Sequence, residues 1–356
     1  MTIEHVNYRK GRGAQKNTDN PYLKKAFTTE NVEGLDEPFL TSDIKTEFFT
    51  ENSKKIVNKV NSPDLGMGYS MNPYQGCEHG CVYCYARNSH QYWGYSAGID
   101  FESKIIVKKN AAHLLSKTFD NPNWVPFPIM FSGNTDCYQP AERKYKLTRQ
   151  MLEVCLKYKN PLSMITKNSL ILRDLDLLKE MASLNLIHVS ISINSLREEI
   201  RLKLEPRTAS MLKRMKVVEE LSKNGIPVNI MVAPIIPGLT DHEIPEIIKI
   251  AAEKGALSAA YTIVRLNGSI ADIFTDWVLK AFPDRAEKIL HQIADCHGGK
   301  LNDSRYGKRM KGEGKVADAI RDIFRISKNK YMDGLKLPPF DLSSFCRPGN
   351  GQMSLF

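Results

Sequence analysis

The sequence predicts an α/β chain built as a partial (β/α)6 TIM-type barrel, with an N-terminal lead-in and a C-terminal helical extension. Three observations point there. From Leu65 onward, short apolar runs alternate with amphipathic stretches, the pattern of βα units around a parallel sheet. Several of those runs end in Gly, Pro or Asn, where a loop begins. A cysteine-rich loop follows the first run, at the strand end where barrel enzymes keep their chemistry.

Taken in order, residues 1–60 form a polar lead-in that is basic at first, through Tyr8-Arg9-Lys10-Gly11-Arg12-Gly13. Asn20-Pro21 and Glu37-Pro38 break any long helix. An extended segment wrapping the core is expected, its basic run either a free tail or an anion-binding arm. Residues 61–270 form the core, with strands expected at 69–72, 129–132, 162–166, 187–193, 228–234 and 259–265. Helices are expected between them at 111–119, 141–158, 174–183, 211–223 and 243–253. Residues 271–336 form the extension, with helices at 277–282, 285–295 and 316–326 and a Gly- and Lys-rich loop from Gly298 to Gly314. Residues 337–356 form a Pro-rich tail.

The chain has 356 residues, 42% hydrophobic and 25% charged, enough to bury a sizeable core and ordinary for a protein in water. Of seven cysteines, Cys137, Cys155, Cys296 and Cys346 are widely separated and form no disulfide framework. A reducing compartment fits. The first residues lack the apolar centre of a signal peptide, and no apolar run is long enough to cross a bilayer. The expectation is a cytoplasmic protein. A net charge of +10 suits an anionic partner such as nucleic acid, as it suits solvated surface lysines.

The chemistry centres on Cys77-Glu78-His79-Gly80-Cys81-Val82-Tyr83-Cys84. Thiolates are the soft ligands that zinc and iron–sulfur clusters take. Three of them, rather than four, leave a position open for a small molecule. The alternative is a zinc knuckle with His79 or His90 as fourth ligand. On the fourth strand, Val189, Ile191 and Ile193 alternate with Ser190, Ser192 and Asn194. The apolar set would face helices and the polar set the barrel interior. Unpaired hydroxyls there are costly, so a ligand or water-filled cavity is expected.

The cysteine spacing, with an aromatic before the last Cys, resembles the signature of the radical S-adenosylmethionine (radical SAM) enzymes. Ile165-Thr166-Lys167, Ser192-Ile193-Asn194, Glu205-Pro206-Arg207-Thr208 and Val232-Ala233-Pro234-Ile235 resemble the branch that includes spore photoproduct lyase. The resemblance covers roughly residues 68–270. It implies a four-iron four-sulfur cluster on Cys77, Cys81 and Cys84, whose free iron is chelated by S-adenosylmethionine (SAM). It implies reductive cleavage of SAM to a 5′-deoxyadenosyl radical, fed by reduced flavodoxin or ferredoxin. Tyr83, Gly133, Asn134, Lys167, Ser192 and Asn194 become cofactor contacts, with Lys167 and Ser192 at the SAM carboxylate. Glu205 and Arg207 are either site residues or an ion pair. The lyase's hydrogen-donating Cys is replaced by Gly133, which leaves Cys137 and Tyr138 as donor candidates; otherwise Cys137 is a small buried hydrophobe.

Three further features bear on substrate. Tyr83, Tyr85, His90, Tyr92, Trp93 and Tyr95 either shield the cluster or stack on bases. The run from Arg305 to Lys315 joins cations, an aromatic and glycines, suited to phosphate contact or to a solvated loop. Gln352-Met353-Ser354-Leu355-Phe356 resembles the peptide that docks bacterial repair proteins on the DNA polymerase sliding clamp, with Gln352, Leu355 and Phe356 as contacts. The reading is a DNA-repair lyase-like radical SAM enzyme. Its rivals are modification of a protein or small metabolite, and a metal-binding module without catalysis.

Overall fold

The computed structural model describes residues 8–23, 44–66 and 68–348. Six strands run parallel: β1 (Tyr69–Met71), β2 (Ile129–Phe131), β3 (Leu162–Thr166), β4 (Ile187–Ser192), β5 (Val228–Ile235) and β6 (Ser258–Ile263). They pair in sequence order, and Val57–Lys59 adds an antiparallel strand outside β1. Sequential pairing is what right-handed βα crossovers produce. The sheet is therefore an open barrel, with no pairing between β6 and the β1 edge among the described strands.

Five helices cover the outer face: α1 (Ala111–Asp120), α2 (Leu147–Tyr158), α3 (Leu175–Ser183), α4 (Met211–Lys223) and α5 (Ile244–Glu253). Their apolar stripes meet alternate strand residues. Leu152, Leu178, Leu221 and Ile247 join Met164, Val189, Ile191 and Ile230 in one buried core. Ser210 caps α4 by accepting from Lys213 N–H. All six expected strands form, within two residues at each end. The helix expected over 141–158 does not run unbroken. Lys146 adopts φ +51°, so a short turn, Glu142–Tyr145, ends before α2 starts.

The extension holds α6 (Ile270–Ala281), α7 (Ala286–Asp295) and α8 (Lys315–Met332). Both α6 and α8 are longer than the sequence suggested, α6 because Ile270, Ile273, Phe274, Trp277 and Val278 form one continuous buried stripe. A small sheet of Glu47–Thr50, Lys104–Val107 and Tyr74–Gln75 was not expected. Its strands come from distant segments and are two to four residues long.

Two chain segments finish the body. Residues 8–20 dock over the cysteine loop, where Ala14 is fully buried. Residues 338–347 cross the opposite end of the barrel. Phe340 stacks on His188 at 3.9 Å, Asp341 N–H donates to Asn185 C=O, and Arg347 donates to the carbonyls of Phe119 and Asn121. The clamp-like residues Gln352, Leu355 and Phe356 lie outside the described residues. No helix among the described residues is long and apolar enough to cross a membrane.

Candidate active site

At the C-terminal ends of the six strands lies a cavity of about 350 Å³, within the range of small-molecule sites. Cys77, Cys81 and Cys84 all line it, with Ser192 and Lys167 from the ends of β4 and β3. Cys77 and Cys81 are 6% and 7% exposed, and all three are free thiols. Burial pushes the Cys81 and Cys84 thiols up, so both stay protonated until a cation draws the proton off.

The loop is shaped by two glycines. Gly76 (φ +80°) and Gly80 (φ +68°) adopt a conformation that L side chains rarely take. A Cβ on Gly80 would come within 2.7 Å of the Glu102 carboxylate. Beneath the loop, Arg87 donates to Cys81 C=O at 2.9 Å and pairs with Glu102 at 2.5 Å, both side chains fully buried. Glu102 also accepts from Gly13 and Ala14 N–H. The basic run of the lead-in is thereby used internally: Arg12 donates to the carbonyls of Glu102 and Ile44.

Asp136, after β2, ties three strand ends together. It accepts from Thr166 Oγ1 at 2.8 Å and Lys167 N–H at 2.9 Å, and lies 3.2 Å from His79 Nδ1. Burial pushes this carboxyl up, but His79 and the donors outweigh it and hold it at about 2. Asn168 Oδ1 accepts from Leu170 N–H, and its Nδ2 lies 3.0 Å from His79 Nε2. Burial pulls His79 down, but Asp136 and the neighbouring Cys77 push it up to about 9, so the ring faces Asp136 as a cation. His79 lines the cavity beside Cys77, between Asp136 on one side and Asn168 on the other. His90, the other ligand of the zinc alternative, is buried between Tyr95 and Phe101 and does not line the cavity.

Tyr83 donates to Glu205, which pairs with Arg214. Burial pushes Glu205 up, yet Arg214, Lys167 and the Tyr83 hydroxyl pull it below the usual carboxylate range. Glu205 and Arg207 do not pair with each other; Arg207 lies 3.7 Å from Glu102. Burial pulls the Lys167 ammonium down, while Cys81 and Glu205 push it up further, so it stays charged at the cavity wall. Asn194 is buried, with Nδ2 3.5 Å from the Tyr83 hydroxyl and Oδ1 unpartnered among the described residues.

The structure thus gathers Tyr83, Gly133, Asn134, Lys167 and Ser192 on one cavity with the three thiols, and sets Asn194 directly behind it. Gly133 packs so that an added Cβ would lie 3.1 Å from Ser70 Cβ. Cys137 and Tyr138 are not on the cavity. Both are fully buried in the core, and the Tyr138 hydroxyl donates to Asp174 at 3.0 Å. The chain turns after Asp136, which sends these side chains behind the wall. Sequence reasoning missed Asp136 and Arg265, while Arg309 belongs to the run from Arg305 to Lys315 already read as suited to phosphate contact. Asp136 stands two residues after Asn134 with no local signal of its role, and Arg265 was visible only as the last residue of an expected strand.

The donor set tests the expected cofactors. No three His, Cys, Asp or Glu side chains among the described residues converge as a single ion requires. The three thiols nevertheless share one cavity, and a cluster takes each thiolate on a separate iron. A cationic lysine and a serine hydroxyl on the same wall suit a carboxylate-bearing ligand. The residues fit a cluster with SAM.

A profile of the radical SAM superfamily matches residues 71–251. An uncharacterized protein of Mycobacterium tuberculosis is 32% identical over 234 residues, 65% of this chain and 69% of its own. An uncharacterized protein of Methanocaldococcus jannaschii is 31% identical over 250 residues, 70% of this chain and 89% of its own. Spore photoproduct lyase complexed with dinucleoside spore photoproduct superposes with a TM-score of 0.59 at 15% identity, covering 81% of this chain and 80% of that one. A variant of that lyase with bound AdoMet gives 0.59 at 16% identity, covering 83% and 82%. The likeness is one of fold.

Proposed function

The chain belongs to the radical SAM superfamily, and we propose that it is a lyase-like enzyme acting on nucleic acid. Radical SAM enzymes use a four-iron four-sulfur cluster and SAM, and take their electrons from a reductant. Bound together, those groups supply a 5′-deoxyadenosyl radical that abstracts hydrogen from an unreactive C–H bond. In this reading Cys77, Cys81 and Cys84 hold the cluster. Lys167 and Ser192 bind the SAM carboxylate, Gly133 and Asn134 meet its ammonium, and Tyr83 and Asn194 support the wall. Reduced flavodoxin or ferredoxin serves as donor, in a cytoplasmic setting. Cys137 and Tyr138, behind the wall, are poorly placed to give a hydrogen atom to a substrate in the cavity.

The observation that carries the chemistry is the shared cavity of three thiols, one lysine and one serine. Support for nucleic acid is thinner: Arg265 and Arg309 on the same cavity, the net charge of +10, and a fold neighbour solved with a dinucleoside. One observation favours a smaller or proteinaceous substrate instead. Much of the charge in the basic loop is spent internally, Arg305 on Asp303 and Glu313 and Lys308 on Glu313.

The test is anaerobic purification with iron and sulfide analysis, followed by reduction in the presence of SAM. Iron and 5′-deoxyadenosine should both appear, and Cys81→Ala should abolish both. Lys167→Ala should keep the iron but weaken SAM binding about tenfold or more, as loss of a charge-assisted bond does. SAM cleavage that damaged DNA or RNA leaves unchanged, but a peptide accelerates, would replace the nucleic-acid reading with its rival.

A further inference from the structure

The two arginines on the cavity are not equivalent. Arg309 is fixed: its guanidinium donates to Asp64 Oδ2 and Ser62 Oγ, and it lies 4.5 Å over the Tyr306 ring. Arg265 follows β6, is half-buried and lines the same cavity. Among the described residues its side chain makes no hydrogen bond and no ion pair; Tyr85, Asp64 and Arg309 are the charged or ionisable groups around it. Burial and the neighbouring Arg309 charge push its guanidinium down by more than Tyr85 and Asp64 push it up, the direction expected of a half-buried cation with no direct partner.

We infer that Arg265 and Arg309 form an oxyanion subsite on the cavity, and that its occupant is one phosphodiester group of a nucleic-acid substrate. The assignment rests on the nucleic-acid reading above and names where that substrate is held. The charge count supports it: two guanidiniums and the Asp64 carboxylate leave one positive charge, which one phosphodiester neutralises. A guanidinium offers planar N–H donors that match phosphate oxygens in pairs. Arg309, already anchored, is pre-organised. Arg265 is the member free to close on the anion. The thiols and the subsite share one cavity, so a strand held there by its backbone presents its sugar or base toward the chemistry.

The experiment uses cluster-loaded protein with SAM bound, under anaerobic conditions, and a fluorescent single-stranded oligonucleotide as probe. Affinity is measured against salt for wild type, Arg265→Gln, Arg265→Lys and Asp64→Asn. Iron content and thermal melting confirm that each variant is folded and loaded. Arg265→Gln should bind about tenfold more weakly, and its log–log salt slope should flatten by about 0.7, the value for one lost phosphate contact on a single strand. Arg265→Lys should fall between. Asp64→Asn should bind more tightly, since it removes the competing negative charge. An oligonucleotide that wild type and Arg265→Gln bind equally, with equal slopes, overturns the subsite and leaves the nucleic-acid reading standing. A wild-type protein with no affinity for the oligonucleotide overturns both.

Discussion

Asp136 carries more of the site than its place in the sequence suggested. Its carboxylate joins β2 to the end of β3 and faces His79, two residues from Cys77. A carboxyl held at about 2 favours the folded state at every pH above the ordinary carboxylate value, and that contribution fades as pH falls from about 4 toward about 2. Its size is about 2 kcal/mol. Denaturant midpoints measured across that range should fall for the wild type. Asp136→Asn should be less stable at neutral pH and show a shallower acid loss. The residue scale is also where sequence reasoning was weakest. Ser192 and Asn194 could be placed by strand alternation, because a period of two leaves only one polar face. Cys137 could not, since one turn after Asp136 decides whether its thiol meets the cavity or the core.

Among elements, the docked lead-in stands out. Gly13 fits against the cysteine loop so closely that a Cβ there would lie 1.7 Å from Gly80 O, and one on Gly98 would lie 2.1 Å from Lys16 O. The buried Arg87–Glu102 pair then links lead-in, loop and the short helix Ile99–Ser103. Glu102→Gln leaves Arg87 without its counter-charge and should cost about 3 kcal/mol. Thermal melting and iron content should fall together; unchanged iron would show that the pair holds the body and not the loop. A lead-in wrapping the core was expected, but its individual contacts were not readable beforehand. The six strands and five covering helices were, because each declares itself by local periodicity. The small sheet and the lead-in contacts join segments distant in sequence, and no local pattern encodes such a pairing.

For the whole molecule, the open sheet sets the question of how the barrel is finished. Its β6 edge is met by the loop before α8, with Ile263 N–H donating to Met310 C=O. The β1 edge carries the turn between Val57–Lys59 and β1, which holds Asp64. Asp64 accepts from Gly307 N–H and Arg309 on the far side. Among the described residues, two loops therefore close the circle. Amides of residues 305–311 should exchange hydrogen well before those of β4 and β5, and faster still in Asp64→Ala. Equal protection of loop and sheet would show that the closure is as firm as the barrel itself.

That join behaves as a latch. Strand pairing would have to unzip along its length, whereas here release takes Asp64 letting go of Arg309 and the Gly307 amide, and Ser62 Oγ letting go of the same arginine. The same arginine that fastens the latch faces the cavity, so an incoming anion competes with Asp64 for it. A guest thereby loosens the wall it enters beside, and a polymer too large for a cavity of about 350 Å³ need not be threaded through a fixed opening.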